Sequence, residues 1–277
     1  MNKTFLKVIS ASRREEMTGF APDRLISLLE TRCPPERVHT LVLWTKSPRN
    51  LLSHTRLNRL LKEFDQVTLH LTVTGMGGTP LEPGIPEPGR VLELLPDLVG
   101  FVGDPRRIAF RFDPIVHLIL PDGRPYSNLN RLPEILPRVR AAGITDLIVS
   151  RMSAYPRVIR HLGECGLRLF PQTGEARQEE ADHLRSLAAA AGMVLSGCCV
   201  PDWPASSCID GPRLSALHPG HAIADRTKAA AQRPRCGCTK SWDIGWYMPC
   251  PGGCVYCYAN PVIRTKREEM ESWHPES

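Results

Sequence analysis

No stretch of this 277-residue chain approaches the ~18 consecutive apolar residues of a membrane span. Its opening residues, Met1 to Lys7, contain no apolar run of signal-peptide length. The expectation from both absences is a cytoplasmic protein with no membrane association. Aromatic residues are scarce, at 6%, and no basic stripe interleaved with aromatics is visible, which counts against a platform for single-stranded nucleic acid. Neither sign of charge forms a block. The net charge of +6 is spread along the chain, which permits an anionic partner without indicating nucleic acid. No repeat of fixed period is present, so a solenoid is excluded. With 42% hydrophobic and 23% charged residues, the chain is not a disordered one.

The chain has proline and cysteine in excess. Its 26 prolines are nearly twice the usual ~5% and predict elements that end sharply. Of its 10 cysteines, eight follow residue 197. In a reducing compartment such a cluster reads as metal binding or catalysis before disulfides.

Six short apolar or β-branched runs predict buried parallel strands: Phe5 to Ser12, Thr40 to Thr45, Val67 to Thr74, Arg107 to Phe112, Asp146 to Ser150 and Met193 to Ser196. Amphipathic stretches between them, over Leu51 to Phe64, Leu132 to Ala142 and Glu179 to Ala191, predict helices. This alternation predicts an α/β fold, a TIM-like or partial (β/α) barrel of about six parallel strands over residues 1–197. An open doubly wound sheet is the alternative. Residues 198–277 lack periodicity and read as a cysteine-rich segment packed on the barrel mouth.

In either fold, active sites lie beyond the carboxyl ends of the strands. Those ends carry Arg13, Arg14, Lys46, Arg111 and Asp113 here. Arg111 and Asp113 share one strand face. They are the candidate catalytic pair, with a structural ion pair as the alternative. The basic company suits a small anionic substrate such as a carboxylate or phosphate.

Cys250, Cys254 and Cys257 form a C-x3-C-x2-C run. Three thiolates at this spacing can hold a four-iron four-sulfur cluster and leave one iron open to a small molecule. Gly252 and Gly253 let the backbone fold closely around it, and Tyr256 can shield one side. A zinc site is the alternative, although zinc normally takes four ligands in two spaced pairs. A second set, Cys198 or Cys199 with Cys208, Cys236 and Cys238, predicts a four-thiolate auxiliary cluster. Structural zinc and free redox thiols are its alternatives. Cys33 and Cys165 stand alone, and packing explains them.

The triplet, with an aromatic before its third cysteine, resembles the cluster motif of the radical S-adenosylmethionine superfamily. More of the chain resembles the family catalogued as domain of unknown function 1848. The likeness runs through Ile9 to Arg14, Trp44 to Pro48, Leu81 to Pro86, Arg111 to Ile115, Cys208 to Asp210, Cys236 to Cys238, Ser241 to Gly245 and Cys250 to Asn260. One departure is Cys198-Cys199-Val200, where the family usually carries Cys-Ala-Glu.

The superfamily resemblance implies S-adenosylmethionine at the open iron, reductive cleavage to a 5′-deoxyadenosyl radical and hydrogen-atom abstraction from a substrate. It also implies an electron donor such as flavodoxin or ferredoxin. Gly77-Gly78 would receive the amino group of the cofactor, unless they simply form a turn. Tyr256-Cys257-Tyr258-Ala259 is also similar to the cluster loop of spore photoproduct lyase relatives, which act on DNA. The competing expectation is a non-enzymatic iron–sulfur or zinc module of a kind that associates with nucleic acid. In the superfamily the cluster loop follows the first barrel strand. Its place near residue 250 implies a circular permutation, with Ser241 to Met248 as the strand and Pro261 to Trp273 as the following helix, or else a lid over the mouth.

Overall fold

The computed structural model describes residues 6–230 and 232–275. Phe5, at the start of the first predicted run, lies outside them. Seven strands form one parallel sheet: β1 Lys7–Ala11, β2 Val38–Thr45, β3 Val67–Thr72, β4 Ile108–Ile115, β5 Asp146–Arg151, β6 Val194–Gly197 and β7 Trp242–Asp243. Their order across the sheet is β7-β1-β2-β3-β4-β5-β6. All six predicted strands are present. The order is consecutive, with no reversal, so the sheet is singly wound and the doubly wound alternative does not apply. Among the described residues no pairing joins β6 to β7, so closure into a complete TIM barrel is not seen.

Alternation along the strands explains the layering. Ile9, Ala11, Leu41, Leu43, Leu69, Leu71, Phe110, Phe112, Leu147 and Val149 lie in one buried cluster. The same cluster holds Leu25 and Leu29 of helix Pro22–Arg32, Leu57 and Leu61 of Thr55–Leu61, Leu95 and Leu98 of Leu95–Val102, Leu136 and Val139 of Leu132–Ala141, and Leu184 of Gly174–Ala190. Helices between the strands therefore cover one face, as right-handed crossovers in consecutive order require. The opposite face carries Ser10, Trp44, His70, Arg111 and Ser150 among its residues. Part of the cysteine-rich segment covers it: Val8 and Val42 pack with Ile209, Leu214, Ala224 and Cys238.

A smaller antiparallel sheet of His117–Ile119, Pro125–Ser127 and Arg168–Leu169 stands beside the main one. Its Leu118 joins Leu81, Leu162, Cys254, Tyr256 and Met270 in a second core around the cysteine triplet. Cys33 and Cys165 are buried in the two cores, as packing predicts. No described helix is long and apolar enough to cross a membrane.

Candidate functional site

The loop bearing Cys250, Cys254 and Cys257 leaves the carboxyl end of β7. Only two residues of β7 pair with β1, Trp242 with Ile9 and Asp243 with Ser10. Side-chain bonds reinforce that short strand. Asp243 accepts from Ser10 Oγ at 3.0 Å, Ser12 Oγ at 2.7 Å and the backbone N–H of Arg13 at 3.1 Å. The loop then closes on itself: Cys250 N donates to Asn260 O at 2.8 Å, and Val262 N to Cys250 O at 2.9 Å.

A second clamp joins this loop to the segment after β3. Val255 N donates to Leu81 O, and Gly84 N to Gly252 O, both at 3.1 Å. A Cβ on Gly84 would lie 2.9 Å from Gly252 Cα, so glycine is required by this close approach. Gly253 has φ +62°, the left-handed region that favours glycine. A Cβ on Gly252 would sit 3.4 Å from Cys250 Sγ and 3.3 Å from the Phe20 ring. Cys254 is buried, and Cys250 and Cys257 are half-buried. Burial pushes all three thiols above their ordinary pKa.

Beside Cys254 lies a buried polar group built from three distant segments. Lys46, just past β2, donates to Glu82 Oε1 at 2.8 Å and to Tyr256 Oη at 2.9 Å. Tyr256 Oη also donates to Glu82, and Thr74 Oγ1 donates to it at 2.7 Å. Burial disfavours the ammonium of Lys46, but Glu82, with help from Cys254 and Asp113, outweighs it and raises the Lys46 pKa. Tyr256 is thus a buried hydrogen-bond partner of Lys46 and Glu82.

Arg111 and Asp113 form a close ion pair, and Asp113 also accepts from Ser150 Oγ. Burial raises the Asp113 pKa, but Arg111 and Ser150 more than offset it, leaving the carboxylate below its ordinary value. Arg111 Nη1 donates to Cys208 Sγ at 3.0 Å. Cys208 Sγ lies 3.9 Å from Cys198 Sγ, and Cys208 and Cys236 pack in one small cluster with buried Cys238. Cys208 thus links Cys198 to the small cluster that holds Cys236 and Cys238. Arg233 Nη2 adds a donor to Cys198 Sγ at 3.4 Å. Among the described residues no group of three or more His, Cys, Asp or Glu side chains converges as a shell for a single metal ion.

Gly77 and Gly78 have packing reasons of their own. A Cβ on Gly77 would meet the backbone of Pro86, and Gly78 adopts φ +79° against Glu87. Gly77 helps to line a small crevice with Lys46, Thr74, Glu82 and Ile85.

Sequence reasoning missed Glu82, Trp44, His70 and Ser150. Trp44 stacks on His70, with ring centroids 4.1 Å apart, and the guanidinium of Arg111 lies 5.1 Å from the Trp44 ring. Glu82 and Trp44 stand inside segments that carry the family likeness, but spacing alone gives them no role.

The family described as Domain of unknown function (DUF1848) matches residues 8–259, and the chain belongs to it. No curated protein and no solved structure matches the chain.

Proposed function

We propose that this is an iron–sulfur enzyme of the radical S-adenosylmethionine type, built on a partial barrel in circularly permuted order. Cys250, Cys254 and Cys257 hold the cluster, and a small anionic substrate is oriented by Asp113 and Arg111. The observation that carries this reading is the place of β7. It is an edge strand parallel to β1, and the cysteine loop leaves its carboxyl end. Counted from β7, the sheet is a consecutive series whose cluster loop follows the first strand, with crossover helices on one face.

The donor set fits such a cluster. Three thiols share one tight loop, and the glycine at 252 leaves space beside Cys250 Sγ. Lys46 is the cation that lowers the pKa of both Cys254 and Cys257 against their burial. When bound, the cluster and S-adenosylmethionine would supply a radical for hydrogen-atom abstraction, with an electron from a flavodoxin or ferredoxin. Asp113 is held ionised by Arg111 and can accept a hydrogen bond from a substrate hydroxyl or amine. Asp113, toward the carboxyl end of β4, and the cysteine loop after β7 belong to the same end of the parallel sheet, which supports this reading.

The second set, Cys198, Cys208, Cys236 and Cys238, holds an auxiliary cluster or zinc that anchors the cysteine-rich segment. Cys199, next to Cys198 in the chain, is a competing ligand.

Anaerobic purification with iron and sulfide counting tests this reading, followed by the electron paramagnetic resonance spectrum of the reduced protein with and without S-adenosylmethionine. A reduced-cluster signal that shifts on addition supports it. Zinc without labile sulfide favours the non-enzymatic module.

A further inference from the structure

Four aromatic side chains missing from any one stretch of sequence gather at the carboxyl end of the sheet. Trp246 and Tyr247 follow β7, Tyr258 follows the cysteine loop and Tyr155 follows β5. All four are exposed, Trp246 at 63% and Tyr258 at 52%. They stand in two pairs, Trp246 with Tyr247 at 6.4 Å between centroids and Tyr155 with Tyr258 at 5.9 Å. Asn260 Nδ2 ties the pairs together by donating to Tyr247 O at 3.2 Å.

Arginines stand beside this group. The guanidinium of Arg14 is 5.7 Å from the rings of both Trp246 and Tyr247. Exposed Arg157 donates to the carbonyl of Ala259, the neighbour of Tyr258. The nearby carboxylates are already engaged. Glu15, 5% exposed, pairs with Arg24 and accepts from Trp246 N at 2.9 Å. Asp243 is held by Ser10 and Ser12. Among the described residues the free charge on this rim is therefore positive. Of the 35 basic residues in the chain 28 are arginine, whose planar head both pairs with phosphate and stacks on rings.

We propose that this rim binds single-stranded nucleic acid, with bases on the exposed rings of Trp246, Tyr247, Tyr155 and Tyr258 and phosphates on Arg14 and Arg157. Unstacked bases offer π-faces to aromatic platforms, and a cationic track beside them neutralises the backbone. The inference stands on the rim alone. It can fail while the cluster reading holds, and the reverse is also true.

The test is fluorescence anisotropy on the anaerobically purified full chain. The probes are a labelled oligothymidylate and an abasic strand of equal length, at low and at physiological salt. The oligothymidylate is expected to bind about tenfold or more tightly than the abasic strand. Trp246→Ala and Tyr258→Ala each weaken its binding about tenfold and leave the abasic strand unaffected. Arg14→Ala lowers the salt slope by about 1. Equal affinity for the two strands would reduce the rim to non-specific charge and overturn the proposal. So would an absence of binding at low salt. Binding of an acidic flavodoxin alone, lost in the same variants, would assign the rim to a protein donor and overturn it too.

Discussion

Lys46 is the residue on which two distant pieces of the site depend. It holds Glu82, 36 residues away, and Tyr256, 210 residues away, in one buried group. Removing one partner of a buried ion pair leaves the other uncompensated, which costs about 3 kcal/mol or more. Lys46→Met is therefore expected to lower stability in urea unfolding by about 3 kcal/mol, and adding Glu82→Gln should restore part of the loss. A loss below about 0.5 kcal/mol, the level of a surface substitution, would contradict the pairing. Lys46 was legible in the sequence as a basic residue at a strand end. Its partners were not, because pairing across such separations leaves no local pattern. The same holds for Arg111: its pairing with Asp113 follows from strand alternation, whereas its bond to Cys208 depends on how the far segment returns to the sheet.

The element that matters most is the short strand β7 with its loop. Two paired residues carry no periodicity, so only the place of the cysteine loop pointed to a strand, expected over 241–248 and found only at Trp242–Asp243. The six longer strands were legible because β-branched runs declare themselves. The stretch 51–64 reads as one helix, yet it breaks into Arg49–Ser53 and Thr55–Leu61, where the His54 side chain caps Leu57 N at 3.2 Å. Asp243 gives β7 most of its attachment. Asp243→Ala removes charged hydrogen bonds worth about 2 kcal/mol or more. It should greatly increase amide hydrogen exchange across 242–262, and unchanged exchange would contradict that role. The clamp between loops makes a second test. Gly84→Ala should lower retained iron and thermal stability, because its Cβ would push on Gly252. Gly89→Ala, with nothing within 4 Å of its Cβ, should leave both unchanged or raise stability by up to about 1 kcal/mol. Equal effects of the two would argue against the clamp.

At the scale of the whole molecule, a singly wound sheet carries helices on one face and part of the cysteine-rich segment on the other. The alternation of strands and helices made the α/β class legible. The filling of the inner face was not, since the covering residues lie far along the chain in an aperiodic segment. At the amino end of that face, Gln66 Nε2 donates to Leu214 O at 2.9 Å and Arg107 Nη2 to Leu217 O at 2.7 Å. His39 hydrogen-bonds Ala222 O at 3.0 Å and packs on His218, with centroids 4.5 Å apart. Burial lowers the pKa of both histidines, so the folded protein keeps them neutral where the unfolded chain takes up protons. Their contribution is fully present above the unfolded value of about 6.5, and stability falls as pH drops below it toward the folded values, by up to about 1.4 kcal/mol per pH unit for each. Denaturant midpoints between about pH 7 and about pH 5 should show this fall, with a shallower slope in His39→Gln. An unchanged slope would contradict it. The exposed rim was equally hidden, because its aromatics and arginines come together only at the ends of several strands. The most direct test of the central claim is chromatographic measurement of 5′-deoxyadenosine after anaerobic incubation with dithionite and S-adenosylmethionine. The account predicts its formation by the native chain and its loss in Cys254→Ala; a protein with an intact, reducible four-iron cluster that forms none would contradict it.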